Sequence, residues 1–179
     1  MFHVTTSLLL RPSWPEDAPA ILAAIGEPGI VRNLARAPWP YGLGDAERFA
    51  ALPQDPRLPH FLVQLPGEGV IGSAGFGNSD GETEIGYWIA RKHWGRGFAT
   101  EAARALVALA PLLGHRRLVA GHFADNPASG RVLAKAGFRR SCTVGERFSA
   151  GRGHAAPLIR YELTLAEDAP PPVMLPEAA

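Results

Sequence analysis

Residues 82–101 read ETEIGYWIARKHWGRGFATE, and the chain changes character three times within them. Glu84, Gly86, Trp88 and Ala90 alternate with Ile85, Tyr87 and Ile89, a period of two with apolar residues on both sides, which predicts an interior strand. Arg91 to Gly97 is a basic, glycine-punctuated turn, and an alanine-rich helix is expected to begin near Phe98. Glycines at 95 and 97 let backbone approach a ligand closely, and consecutive unpaired amides at a helix start form an anion cradle. Arg91, Lys92 and Arg96 add positive charge at the same place. The physical reading is a phosphate-bearing ligand at the mouth of a strand; the plainer alternative is a tight turn with a solvated basic rim.

A Walker-type phosphate loop is excluded, because no Gly, four residues, Gly-Lys-Ser/Thr run exists. A dinucleotide fingerprint fits poorly, since Gly95-x-Gly97 is followed at position 100 by Thr. Lys92-His93-Trp94-Gly95-Arg96-Gly97 instead resembles the coenzyme A signature of the GNAT N-acetyltransferase superfamily, Gln/Arg-x-x-Gly-x-Gly/Ala, with Lys at the first position. The longer string from Trp94 to Ala102, WGRGFATEA, resembles the branch that includes the ribosomal-protein N-terminal acetyltransferases RimJ and RimL. Further on, Asp125-Asn126-Pro127-Ala128-Ser129, Val132-Leu133 and Lys135-Ala136-Gly137-Phe138 resemble the family pattern Asn-x-x-Ser followed by Val-Leu-x-Lys-x-Gly-Phe.

A chain of 179 residues with 46% hydrophobic and 20% charged residues suits one soluble globular domain with a sizeable core. A net charge of +1 gives no general reason to expect nucleic acid or an anionic membrane as partner. The single cysteine, Cys142, excludes an intramolecular disulfide, and the six histidines are scattered without metal-ligand spacing. Without an apolar run of spanning length or a leader-like start, a cytoplasmic, metal-free protein is expected.

Taken in order, Ser7 to Arg11 reads as a first strand and Ala18 to Ile25 as a helix, capped by Ser13 or by Asp17 because Pro19 interferes with an early start. Gly29 to Leu52 is a less regular helical region, broken by an ordered loop at residues 37–42, with Asp45 able to cap a second helix that runs to Leu52. His60 to Leu65, Gly69 to Gly77 and the strand from Glu82 form three successive antiparallel strands. A helix extends from there to near Gly114, then a strand from Arg117 to Phe123, then a helix with Asn126 as N-cap, Pro127 in its first turn and Gly137 closing it. That succession predicts a parallel pair. Strands around residues 142–147 and 158–165 flank a loop, Ser149 to His154, expected to be mobile. Residues 6–166 make up the domain, and the proline-rich 167–179 read as a disordered tail.

The resemblance implies an α+β fold in α/β/α layers: a mixed, mostly antiparallel sheet whose fourth and fifth strands are parallel but splayed. It implies acetyl-CoA as acetyl donor, its pantetheine pairing with backbone near Ile89 and its pyrophosphate on the amides of Gly95, Arg96, Gly97, Phe98, Ala99 and Thr100. Asn126 is either a cofactor contact or only a cap, and Arg131 and Lys135 either approach the 3′-phosphate or form a solvated helix face. Direct attack by the amine is implied, without an acyl-enzyme. Many relatives place a tyrosine acid where this chain has Leu133, so Ser129 becomes the candidate for stabilising the thiolate, or is a first-turn serine. Glu84 is the candidate base through a water, or a strand-end carboxylate; His122 is the other, or a core histidine. Trp39 and Tyr41 either touch substrate or pack their loop, and Cys142 is structural.

The expected function is acetyl transfer from acetyl-CoA to a primary amine, a protein N-terminus or a small molecule, by a monomer or homodimer. The alternatives are a catalytically weak acyl-CoA-binding or sensing module, favoured by Leu133, and an unrelated nucleotide-binding domain.

Overall fold

The computed structural model describes residues 1–165, so the segment 167–179 expected to be a tail lies outside the described residues. Thirteen main elements run β1 (His3–Val4), β2 (Leu9–Arg11), α1 (Ala18–Ile25), α2 (Pro28–Val31), α3 (Leu43–Ala50), β3 (His60–Leu65), β4 (Gly69–Ser79), β5 (Glu82–Ile89), α4 (Phe98–Leu109), β6 (Arg117–Phe123), α5 (Pro127–Lys135), β7 (Arg139–Ser149) and β8 (His154–Thr164). One sheet of eight strands is ordered β1-β2-β3-β4-β5-β6-β8-β7. Every neighbouring pair is antiparallel except β5 and β6. Those two meet at a single register point, Glu84 opposite Val119, and pair nowhere else. The splay implied by resemblance is present.

Alternation along β5 sorts the layers. Ile85 and Ile89 are buried with Phe98, Ala102 and Leu106 of α4 and Leu133 of α5, while Trp88 packs on the opposite face with Ile21 and Ile25 of α1 and Leu62 of β3. The apolar stripe of α4, Phe98, Ala102, Ala105, Leu106 and Leu109, is buried as its helical spacing predicts. Helices thus cover both faces of the sheet.

At the element starts the expectation holds in part, with Asp17 and not Ser13 at the N-cap of α1. The first helix begins at Ala18, so Pro19 falls in the turn whose amides have no intrahelical partner and costs nothing there. Ser13 does not cap; its hydroxyl donates to Ala50 O at 3.1 Å. Asp17 accepts from Trp14 N–H at 2.8 Å and from Arg11 at 2.7 and 2.8 Å, which joins the helix start to β2. Asp45 sits in the first turn of α3 and accepts from Gly42 N–H at 2.8 Å. The short β1, opposite β2, carries no period and has no counterpart in the sequence reading.

The turn expected to be mobile is held. Ala150 N–H donates to Ala35 O at 2.9 Å and Ser149 Oγ to Leu34 O at 2.8 Å. Arg152, its side chain 8% exposed, reaches Arg32 O at 2.6 Å and both Asp125 oxygens at 2.8 and 2.9 Å. The β7–β8 turn therefore clamps residues 32–35, a segment whose Asn33 and Leu34 line one cavity and whose Leu34 and Ala35 line another.

Candidate active site

The open side of the splay is a cleft of about 360 Å³. Its floor is β5, its far wall α5, and its mouth the 95–100 turn. Gly95 and Gly97 adopt φ of 76° and 88°, left-handed values open to glycine at little cost, and Gly97 leads directly into α4. No acceptor among the described residues takes the amides of Gly95, Arg96, Gly97, Phe98, Ala99 or Thr100; the first bond of α4 is Glu101 N–H to Gly97 O at 3.0 Å. Six consecutive donors are left for a ligand.

The cleft wall carries no carboxylate but holds Arg131 and Lys135 of α5. Asn126 lines it too, and its side chain makes no cap hydrogen bond although its backbone begins α5. The Arg96 guanidinium turns away from the cleft: it donates to His93 Nδ1 at 3.1 Å, lies 3.6 Å from Glu68 Oε1 and stacks 4.8 Å over Phe98. Arginine only donates, so the ring proton of His93 sits on Nε2. That nitrogen has no hydrogen-bond partner and lies 3.5 Å from Glu68 Oε2. Burial pushes the His93 pKa down, with Glu68 opposing and Lys92 and Arg96 assisting.

Strand β5 offers its own backbone. Ala90 N–H donates to Ile71 O at 2.8 Å, so by alternation Tyr87 and Ile89 aim their amides and carbonyls into the splay. The Ile89 carbonyl accepts from Trp94 Nε1 at 2.6 Å. From the same strand Tyr87 projects toward α5, where its hydroxyl lies 2.9 Å from Ser129 Oγ and 3.2 Å from Ser129 O. Burial raises the Tyr87 pKa to about 12, which keeps a neutral hydroxyl there. Sequence reasoning misses Tyr87; a tyrosine at an alternating strand position reads as core, and its partner lies on another element.

Behind Tyr87 and Trp88 opens a second cavity of about 520 Å³, between α1, α3, the 34–41 loop and β4–β5. Leu34, Tyr87 and Trp88 line both spaces. Glu84 lines the second, its Oε1 accepting from Arg147 at 2.7 Å and its side chain 21% exposed. Tyr41 lines it as well, with a pKa pushed to about 12 by burial and then by Asp45, whereas Trp39 is exposed outside it. His122 lines neither: it is buried under α5, where its Nδ1–H donates to Phe123 O at 2.8 Å and its ring packs on Tyr161 at 5.5 Å. Leu133, 1% exposed, belongs to the core.

A cleft lined by free amides, adjoining a second cavity across Leu34, Tyr87 and Trp88, is the layout of a group transferase built on a splayed sheet. The family profile described as Acetyltransferase (GNAT) domain matches residues 7–139, and the chain belongs to that family of acetyltransferases. It is 33% identical over 151 residues to the uncharacterized N-acetyltransferase YoaA of Bacillus subtilis, which covers 76% of this chain and 81% of YoaA. Among solved structures, an acetyltransferase of the GNAT family from Bacillus anthracis superposes with a TM-score of 0.78 at 22% identity, covering 92% of this chain and 98% of that one. RimL, the ribosomal L7/L12 alpha-N-protein acetyltransferase in complex with coenzyme A, superposes with a TM-score of 0.78 at 20% identity, covering 94% of this chain and 100% of that one. At such identities the two structures share the fold.

Proposed function

We propose that the protein transfers the acetyl group of acetyl-CoA directly to a primary amine, with donor in the splay and acceptor in the cavity behind Tyr87. The run of six unpartnered amides from Gly95 to Thr100 carries this reading, because converging donors at a helix start favour an anionic group. The coenzyme A of the RimL structure supports it from outside. In the proposed complex the amides of residues 95–100 hold the pyrophosphate, Arg131 and Lys135 supply countercharge in place of Arg96, and Asn126 bonds the pantetheine arm. The gap-facing groups of Tyr87 and Ile89 pair with that arm and with the thioester carbonyl. Trp94 yields the Ile89 carbonyl when it does so.

In the chemical step the amine nitrogen attacks the thioester carbon, a C–N bond forms, the C–S bond breaks and the thiolate leaves. Ser129 and Tyr87 carry one hydroxyl proton each. When Tyr87 donates to Ser129 Oγ, the Ser129 hydroxyl proton is free to turn to the sulfur. Glu84, held by Arg147, takes the ammonium proton through water before attack, and the proton that the nitrogen loses as the amide forms ends on the thiolate as the free thiol. His122 has a packing role in this scheme.

Thiol release from acetyl-CoA against a panel of amines and N-terminal peptides tests the reading. Turnover dependent on one acceptor class is expected. Binding of acetyl-CoA with no turnover on any amine would leave an acyl-CoA-binding module instead.

A further inference from the structure

The acceptor cavity holds three arginines, Arg36, Arg48 and Arg147, against two carboxylates, Asp45 and Glu84. Both carboxylates are already paired, Asp45 with Arg48 and Glu84 with Arg147. His60 adds no charge, because burial pushes its pKa down, and Tyr41 remains a neutral hydroxyl. The surplus cation is Arg36, on the loop between α2 and α3. It is exposed, and its guanidinium has no hydrogen bond, ion pair or ring contact among the described residues.

This balance discriminates between acceptors. A polycationic amine needs a carboxylate for each ammonium it brings out of water, and the cavity has none that an arginine does not already hold. An amine carrying its own anion balances the surplus, because Arg36 lines the same cavity with its guanidinium unpaired and the amine sheds its ammonium proton before it attacks. A guanidinium matches a carboxylate or phosphate with paired donors.

Resting on the transfer reading above, we propose that the acceptor is an amine that also bears a carboxylate or phosphate, and that Arg36 is the residue that selects it. The anion belongs either to a small zwitterion or to an acidic residue next to a peptide's N-terminus.

The test uses matched pairs. One arm sets free amino acids against their decarboxylated amines, and the other sets peptides with Asp at the second position against the same peptides with Asn. Each is measured by thiol release and, independently of turnover, by calorimetric titration into the coenzyme A-loaded protein. The member bearing the anion should be preferred by about threefold to tenfold, the range of one partly exposed charge-assisted pair. Arg36→Gln should erase that preference by raising KM rather than lowering kcat, and Arg36→Lys should restore part of it. A preference in the first arm identifies a small acceptor and in the second a peptide terminus. Equal or better use of the partners lacking the anion, or an Arg36→Gln variant that keeps the preference, overturns the proposal. A calorimetric preference without thiol release from any amine would uphold Arg36 while contradicting the transfer reading; neither would contradict both.

Discussion

Ser129 and Tyr87 form the pair on which the departing thiolate depends in the proposed step, joined at 2.9 Å. Ser129→Ala should lower kcat by about ten- to a hundredfold, the value of one hydrogen bond to a charged group, with KM for acetyl-CoA little changed. Tyr87→Phe should act in the same direction, and the double variant should lose less than the product of the two because both hydroxyls serve one chain. Steady-state thiol release on all three variants checks this. At the cradle, Gly97 has φ of 88° with open space where a Cβ would stand, so Gly97→Ala adds backbone strain of about 1–2 kcal/mol without a clash. Its mark should be a raised KM for acetyl-CoA and a modestly lowered Tm. Gly95, Gly97 and Ser129 are legible in the sequence because local backbone needs and a motif announce them. Tyr87 is not, since its partner stands 42 residues away and only the packing of α5 on β5 joins them.

Between elements, the contact of α5 with β6 makes an unusual demand at Gly130. A Cβ there would stand 2.6 Å from His122 Nε2 and 2.9 Å from Tyr161 Oη. Gly130→Ala, which in an open helix stabilises by about 1 kcal/mol, should here destabilise by about 1–3 kcal/mol, and the sign is readable from chemical denaturation. His122 is thereby a residue that shapes a helix contact, a role that sequence position alone does not separate from a catalytic one. The Arg152 clamp likewise joins separate elements. Arg152→Ala removes the hydrogen bonds that hold residues 32–33 and Asp125 together, so the Tm should fall by several degrees, as a loss of about 1–3 kcal/mol implies, and KM for the acceptor should rise. Strands β3 to β6 and helices α4 and α5 are readable because periodicity and caps are local. The fixed 149–154 turn reads wrongly as mobile, because glycine content speaks of local freedom while the partners of Arg152 come from residues 32, 33 and 125.

Across the molecule, acid stability divides into separate windows. His93 and His60 are held below the ordinary 6.5 by burial, so the unfolded chain binds more protons between their folded pKa and 6.5. Their contribution is complete above that value and is lost as pH falls through the window. Asp17, held below 3.8 by its bond from Arg11, and Asp125, held there by Arg152, contribute above 3.8 and lose it only at lower pH. The Tm should therefore decline from about pH 7 to 5, and His93→Gln should flatten part of that slope. The same proton removes the acceptor that Arg96 uses and adds positive charge to the cleft wall, so acetyl-CoA affinity should hold or rise while the Tm falls. The layered sheet and the splay are legible as a whole once the strand–turn–helix run and the second motif stand in order. The sorting of charges is not: Arg96 is expected from sequence to face the phosphates, yet Glu68 on the β3–β4 turn and His93 draw it away, a pairing no spacing reveals. The most direct test of the account is a thermal-shift titration with acetyl-CoA beside ATP and NAD. The Tm should climb with the logarithm of acetyl-CoA concentration and stay flat with the other two. No rise with acetyl-CoA, or an equal rise with ATP or NAD, would contradict it.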